Sequence, residues 1–198
     1  MKKMFLGMVI VLLPALAAGL AGAENLTGKF GVTGRVGFIV PADSSWDEWG
    51  TLSSDVGFVG GGGVLYGVTR NLALEFETTY ATYDMNYGPF KDGTAGVTNI
   101  SLGVQWRFAS NQKVTPYVGG GLSILVNDYT YANVDTVVGA TLRGGIDYFL
   151  TPRVALNAEL KGVLSPTATM TDTYYPYIHG SFDPSSFSGL FGVRYFFN

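Results

Sequence analysis

A chain of 198 residues has room for one sizeable domain or two small ones. Its 47% hydrophobic and only 14% charged content excludes a disordered or acidic-tail polypeptide. The absence of cysteine excludes disulfides, thiolate metal sites, cysteine catalysis and a lipidated-cysteine anchor, and a formal charge of −3 argues against nucleic acid as a partner.

Residues 1–23 are expected to be a secretory signal peptide. Lys2 and Lys3 precede an apolar stretch from Met4 to Leu20, which ends in Ala21-Gly22-Ala23, the small residues of a cleavage site. An anchor helix is the competing reading, but the run is short, contains Pro14 and is followed by no stop-transfer charges. Cleavage after Ala23 leaves residues 24–198 as the mature domain, with ten basic and fifteen acidic residues and a net charge of −5.

The mature chain has no apolar run long enough for a spanning helix. It alternates instead with a period of two, which marks strands. In Phe30-Val32-Gly34-Val36-Phe38-Val40 the apolar residues are even-numbered. The same parity continues through Val56-Phe58 with Val64-Tyr66, Leu72-Leu74-Phe76 with Tyr80, and Ile100-Leu102-Val104-Trp106-Phe108. Three further segments keep it: Val118 with Leu122-Ile124-Val126, Val138-Ala140-Leu142 with Ile146-Tyr148, and Val154-Leu156-Ala158-Leu160. The last segment uses odd numbers: Phe187, Phe191, Val193, Tyr195, Phe197. Eight strands of about 11 to 13 residues, tilted near 45°, would each cross roughly one bilayer core.

The connections alternate in length. Thr69-Arg70-Asn71, Ala109 to Lys113 and Thr151-Pro152-Arg153 read as tight turns. Pro41 to Leu52, Asp84 to Gly96, Asn127 to Thr136 and Ser165 to Ser186 read as long loops. That asymmetry predicts an all-β fold, an eight-stranded antiparallel up-and-down transmembrane barrel in the bacterial outer membrane. An even strand count puts both termini on the periplasmic, short-turn side and the long loops outside, and it leaves no room for a second domain.

A soluble barrel with an apolar interior would alternate in the same way, so the outward face must be argued. No charge falls on the apolar face. The opposite face is crowded with small residues, among them Gly31, Gly61, Gly63, Gly119, Gly121, Gly145 and Gly192. These suit the narrow lumen of eight strands better than a wet surface. Phe30, Tyr66, Trp106, Phe108, Tyr148, Tyr195 and Phe197 gather on the apolar face near the short-turn ends, as a girdle at a membrane–water boundary would. The apolar face is therefore expected to meet lipid.

Phe187 to Phe197 resembles the C-terminal signal of outer-membrane barrels, with Gly192 followed by Tyr195 and Phe197, although Asn198 follows the final aromatic. Thr115-Pro116-Tyr117-Val118-Gly119-Gly120-Gly121-Leu122, together with Gly145-Ile146-Asp147-Tyr148 and Ala155-Leu156-Asn157-Ala158, resembles the OmpW family of small barrels. OmpA-like and opacity-type barrels share parts of these motifs. The resemblance implies passage of small hydrophobic molecules from outside, with lateral exit into the membrane. It also implies outer-membrane lipid and lipopolysaccharide as surroundings, and delivery to the barrel-assembly machinery through the last strand.

Two groups of inward positions carry the candidate site. Arg35, Glu75, Glu77, Arg107, Arg143, Asp147, Glu159 and Arg194, with Lys161 somewhat higher, fall in the middle and lower lumen. Buried charges need partners, so an ion-pair network filling the lumen is expected, serving either as a gate or as structural filling. Ile39, Val59, Leu125, Val137, Val163 and Leu190 lie nearer the long-loop rim. They form either a mouth for a small hydrophobic molecule or packing beneath the loops.

The loops are acidic, with Asp43, Asp47, Glu48, Asp84, Asp92, Asp128, Asp135, Asp172 and Asp183 against Lys91. They read as solvated loops or as a cation-bridged contact with the anionic outer leaflet. Trp46, Trp49, Tyr87, Phe90, Tyr129, Tyr131, Tyr174, Tyr175 and Tyr177 make a recognition surface or pack the loops onto the rim. His179 near Ser181 and Asp183 leaves a lipid-hydrolase reading as a remote alternative. Gly60 to Gly63 lacks the lysine of a phosphate loop, and Glu75 with Glu77 suits ion pairing better than acid–base chemistry. No metal, cofactor or catalytic residue is expected.

Overall fold

The structure, a computed structural model, describes residues 26–47, 50–108 and 113–197. The expected signal segment 1–23, Glu24, Asn25, Glu48, Trp49, most of the Ala109–Lys113 turn and Asn198 lie outside the described residues. Alternation determines what forms: each apolar–polar repeat becomes a strand with one face to each side. In chain order the strands are β1 (Phe30–Pro41), β2 (Ser44–Trp46), β3 (Gly50–Ser54), β4 (Gly57–Gly67), β5 (Leu72–Tyr87), β6 (Phe90–Arg107) and β7 (Val114–Tyr129). They continue as β8 (Ala132–Val134), β9 (Val137–Phe149), β10 (Val154–Leu164), β11 (Ala168–Asp172), β12 (His179–Phe182) and β13 (Ser186–Phe196).

The long strands pair antiparallel in a closed ring, β1-β4-β5-β6-β7-β9-β10-β13, with β13 returning to β1 from Gly31–Phe196 to Pro41–Ser186. Closure leaves no unpaired edge. Arg35, Glu75, Glu77, Arg107 and Asp147 point inward and are buried, while the apolar residues between them face out; Leu122 is 68% exposed. Only an apolar medium solvates such an outer face, and a soluble barrel would invert it. The seven girdle aromatics are all exposed on this outer face. Phe30 packs against Tyr66 and Tyr195 against Phe197.

Two of the tight turns share one device. Thr69 Oγ1 accepts from the N–H of Asn71 and Leu72, and Thr151 Oγ1 accepts from the N–H of Arg153 and Val154. A threonine opening the turn satisfies two donors at once.

The opposite rim corrects the sequence reading. Asp84 to Gly96 is not a loop: β5 and β6 continue to Tyr87 and Phe90, and turn at Gly88 with φ of 59°. With 16, 18 and 16 residues, β5, β6 and β7 exceed the expected length. They project above the ring because inward positions there, Tyr83, Met85, Ala95 and Tyr129, still find apolar partners. The other three loops carry β2, β3, β8, β11 and β12, which pair β5-β3-β2-β12-β11-β8-β7. With β6 between β5 and β7, they complete a second, upper ring. Three strands run through both tiers on one side. On the other, each chain segment breaks between tiers, and few bonds bridge the gap: Ala42 N–H to Ser185 O at 2.8 Å and Ser165 N–H to Ser185 Oγ at 3.2 Å are two of them.

Candidate functional site

Seen from the short-turn rim upward, the lumen is layered. Leu26, Leu65, Ala73, Phe149, Ala155 and Phe196 form an apolar seal at the bottom, with Phe149 and Phe196 stacked at 5.6 Å. Parity marks most of these positions as inward, but charge does not single them out, and sequence reasoning passed over them.

All nine expected charges meet in one network above the seal. Glu75 is its hub. It takes Arg35 at 2.9 Å, Arg143 at 2.5 Å and Arg194 at 3.1 Å, and it accepts from Gln105 Nε2 at 2.6 Å. Arg35 also bonds Glu77, which receives Lys161 Nζ at 2.7 Å. Asp147 takes Arg107 and Arg194, each at 2.5 Å, and Glu159 accepts from Tyr117 Oη at 2.7 Å. Neutral partners that sequence reasoning missed complete the set. Asn157 bonds Arg35, Asp147 and Tyr117, and the guanidinium groups of Arg107 and Arg194 lie over the Tyr117 ring at 5.5 and 5.6 Å. Their inward parity was legible; their roles were not, because a neutral residue carries no charge signal.

Glycines supply the volume this network occupies. A Cβ at Gly192 would lie 2.8 Å from Arg35 Cγ, and one at Gly145 would lie 2.6 Å from Tyr117 Oη. With side-chain exposures of at most 3%, the nine charges are almost wholly enclosed.

Above the network, Ile39, Val59, Leu125, Val163 and Leu190 line a cavity of about 20 Å³. Val137 pairs with Leu125 and packs against the same apolar cluster without lining the cavity. Room for about one water is far below a ligand pocket of roughly 300 Å³ or more. Pro184 and Ser186 line the cavity at the tier junction, and Trp46, Leu52, Met170, Ile178 and Phe182 pack the upper ring. Ala81, Val97, Thr79, Asn99, Lys161 and Ser188 complete its lining. Lys161 thus belongs to both the network and the chamber.

The loop aromatics divide. Trp46 and Tyr129 are buried packing, with Tyr129 donating to Asp92; burial and that carboxylate push its phenol above the ordinary range. Tyr87, Phe90, Tyr131, Tyr174, Tyr175 and Tyr177 are exposed. The exposed His179 ring meets Thr171 Oγ1 at 3.3 Å, and the Asp183 carboxylate accepts from the Ser185 N–H at 2.9 Å. Among the described residues, no three His, Asp or Glu side chains gather as a metal site.

Residues 8–194 match the family model described as outer membrane protein beta-barrel domain. No curated protein sequence matches the chain. Among solved structures, OprG from Pseudomonas aeruginosa superposes with a TM-score of 0.73 at 15% identity, over 89% of this chain and 99% of that one. Neisserial surface protein A gives 0.56 at 18% identity, over 84% and 96%. The E. coli outer membrane protein W gives 0.51 at 17% identity, over 88% and 100%. At these identities the likeness is one of fold.

Proposed function

The chain belongs to the outer membrane protein beta-barrel domain family, and on that premise we propose that it admits small hydrophobic molecules through the upper lumen and releases them sideways into the membrane. In this reading the short-turn rim faces the periplasm and the two-tiered rim faces outward, amid lipopolysaccharide. The last strand, β13, carries the signal for the assembly machinery. One observation supports the route above others: an apolar chamber lies at the break between two tiers, over a lumen filled by ion pairs. A solute entering there has no straight way down, whereas the wall beside it is weakly stitched. Between β9 and β10 the ladder ends at Ala140–Leu164, and the next bond is Asp135 N–H to Thr169 O. The upper ring hangs on β5, β6 and β7 and can swing to enlarge the chamber.

The test is uptake of a lipophilic dye that fluoresces only in membranes, by cells with and without the protein. Uptake several-fold faster, with no ohmic conductance in planar bilayers, is expected. A disulfide across Ala140→Cys and Leu164→Cys, register partners at the seam, should slow uptake until reduced. Folded protein that leaves the dye rate at the control value refutes the proposal, and a staple without effect refutes the lateral route. A surface-binding role is the second reading, favoured by the exposed Tyr87, Phe90, Tyr174 and Tyr177 at the outer tips. Neither reading involves a chemical step, and we read the chain as non-enzymatic.

A further inference from the structure

We propose that the chamber takes amphiphiles rather than plain hydrocarbons, and that its polar end is a subsite for the carboxylate of a single-chain fatty-acid-like molecule, held by Lys161 and Asn99. This inference rests on the uptake reading and narrows its substrate class. Three observations carry it.

The first is charge. Arg35, Arg107, Arg143, Lys161 and Arg194 face only Glu75, Glu77, Asp147 and Glu159, so the nine-residue network holds five cations and four anions. An uncompensated charge enclosed by a barrel wall is costly, and one more anion balances it. The second is position. Of the five cations, Lys161 is the one that lines the chamber, and Glu77 takes one of the three N–H donors of its ammonium. The third is an unmet polar group. Asn99, 6% exposed, lines the same chamber, and its Oδ1 has no hydrogen-bond partner. That oxygen has no partner to lose, so exchanging the two ends of the amide puts an N–H₂ donor in its place.

A carboxylate accepts only, and an ammonium beside an amide N–H₂ supplies the donors it needs. Thr79 and Ser188 add hydroxyls to the same lining. Much of the remaining lining, Ile39, Val59, Leu125, Val163 and Leu190, is apolar and suits the first methylenes of an alkyl tail. Head group and tail together exceed the one-water cavity, so occupancy requires the upper tier to move. On the loop side, Asp183 is half-buried and engaged by the Ser185 N–H, so it stands beside Pro184 rather than among the donors.

Retention of radiolabelled decanoate and methyl decanoate by nanodiscs carrying the full mature chain, measured above empty nanodiscs, tests the idea. The wild type should retain the carboxylate about tenfold better than the ester, the factor set by one charge-assisted hydrogen bond. Lys161→Met and Asn99→Leu should each bring the ratio near one. The second variant leaves every charge in place, so it remains informative if the first fails to fold. Equal retention of both probes by the wild type overturns the carboxylate site while leaving hydrophobic uptake standing. Retention of neither removes both. A tenfold preference that survives in folded Asn99→Leu and Lys161→Met proteins also overturns it, because the head group is then held elsewhere.

Discussion

Glu75→Gln isolates what the ionic network does for the fold. The substitution keeps the shape of the side chain and removes one of four anions, turning a surplus of one cation into two. Three guanidinium contacts weaken together, at 2.9, 2.5 and 3.1 Å. None of the arginines is stranded, since Arg35 and Arg143 keep Glu77 and Arg194 keeps Asp147. Breaking a buried pair costs about 3–5 kcal/mol, and these remaining partners place the expected loss at the lower end. The assay is the urea midpoint of unfolding in lipid vesicles, read by the slower gel mobility of the unheated unfolded chain. Asp84→Asn is the control. Its Lys91 partner is 56% exposed and the pair lies 2.8 Å apart; screened pairs of that kind contribute less than about 1 kcal/mol. If Glu75→Gln costs no more than the control, the network is not a set of mutually dependent buried pairs, and the account of the lumen is wrong.

Two further outcomes follow from the same geometry. Gly145→Ala drives a methyl to 2.6 Å from Tyr117 Oη and 2.5 Å from Ala158 O, so folding yield should fall sharply, whereas Gly34→Ala, with nothing within 4 Å, should be neutral; equal yields from the two would contradict the close packing of the lumen. At the tip of the β5–β6 hairpin, hydrogen bonds from Lys91 and Thr94 hold the Asp84 carboxyl below its usual range. The stabilisation is complete above the unfolded Asp value of about 3.9 and is lost as pH falls through the lower folded value. Hydrogen-exchange protection at the tip should therefore stay level from neutral pH to about 5 and drop in stronger acid, and Asp84→Asn should abolish that drop.

Much of this architecture could be read from alternation. Arg35, Glu75, Asp147 and Arg194 are separated by up to 159 positions, yet their parity alone placed them in one lumen, because a side-chain period of two admits no other phase once one face is greasy. The upper ring was not legible. Strands of 3 to 5 residues such as β2, β8 and β12 exist because loops from distant parts of the chain meet: Trp46 pairs with Gly180, and Val134 with Met170. Local pattern cannot specify such partners. The apolar lining of the chamber was visible as a change of composition along inward positions, while its size depends on how Pro184 and Phe182 descend onto it. Asn99 was passed over for a simpler reason: a buried amide oxygen without a partner is recognisable only once its surroundings are known.

The pairing of β1 with β13 has a consequence for biogenesis. Thr33 and Arg194, whose side chains also bond at 2.8 Å, belong to the earliest and latest parts of the described chain. Until the final strand arrives, every intermediate is an open sheet with two raw margins, greasy on one side and ionic on the other. Such a polypeptide can seal itself only after its last segment has arrived. Any lesion that removes β13 therefore yields a sticky, unfinished sheet rather than a smaller cylinder.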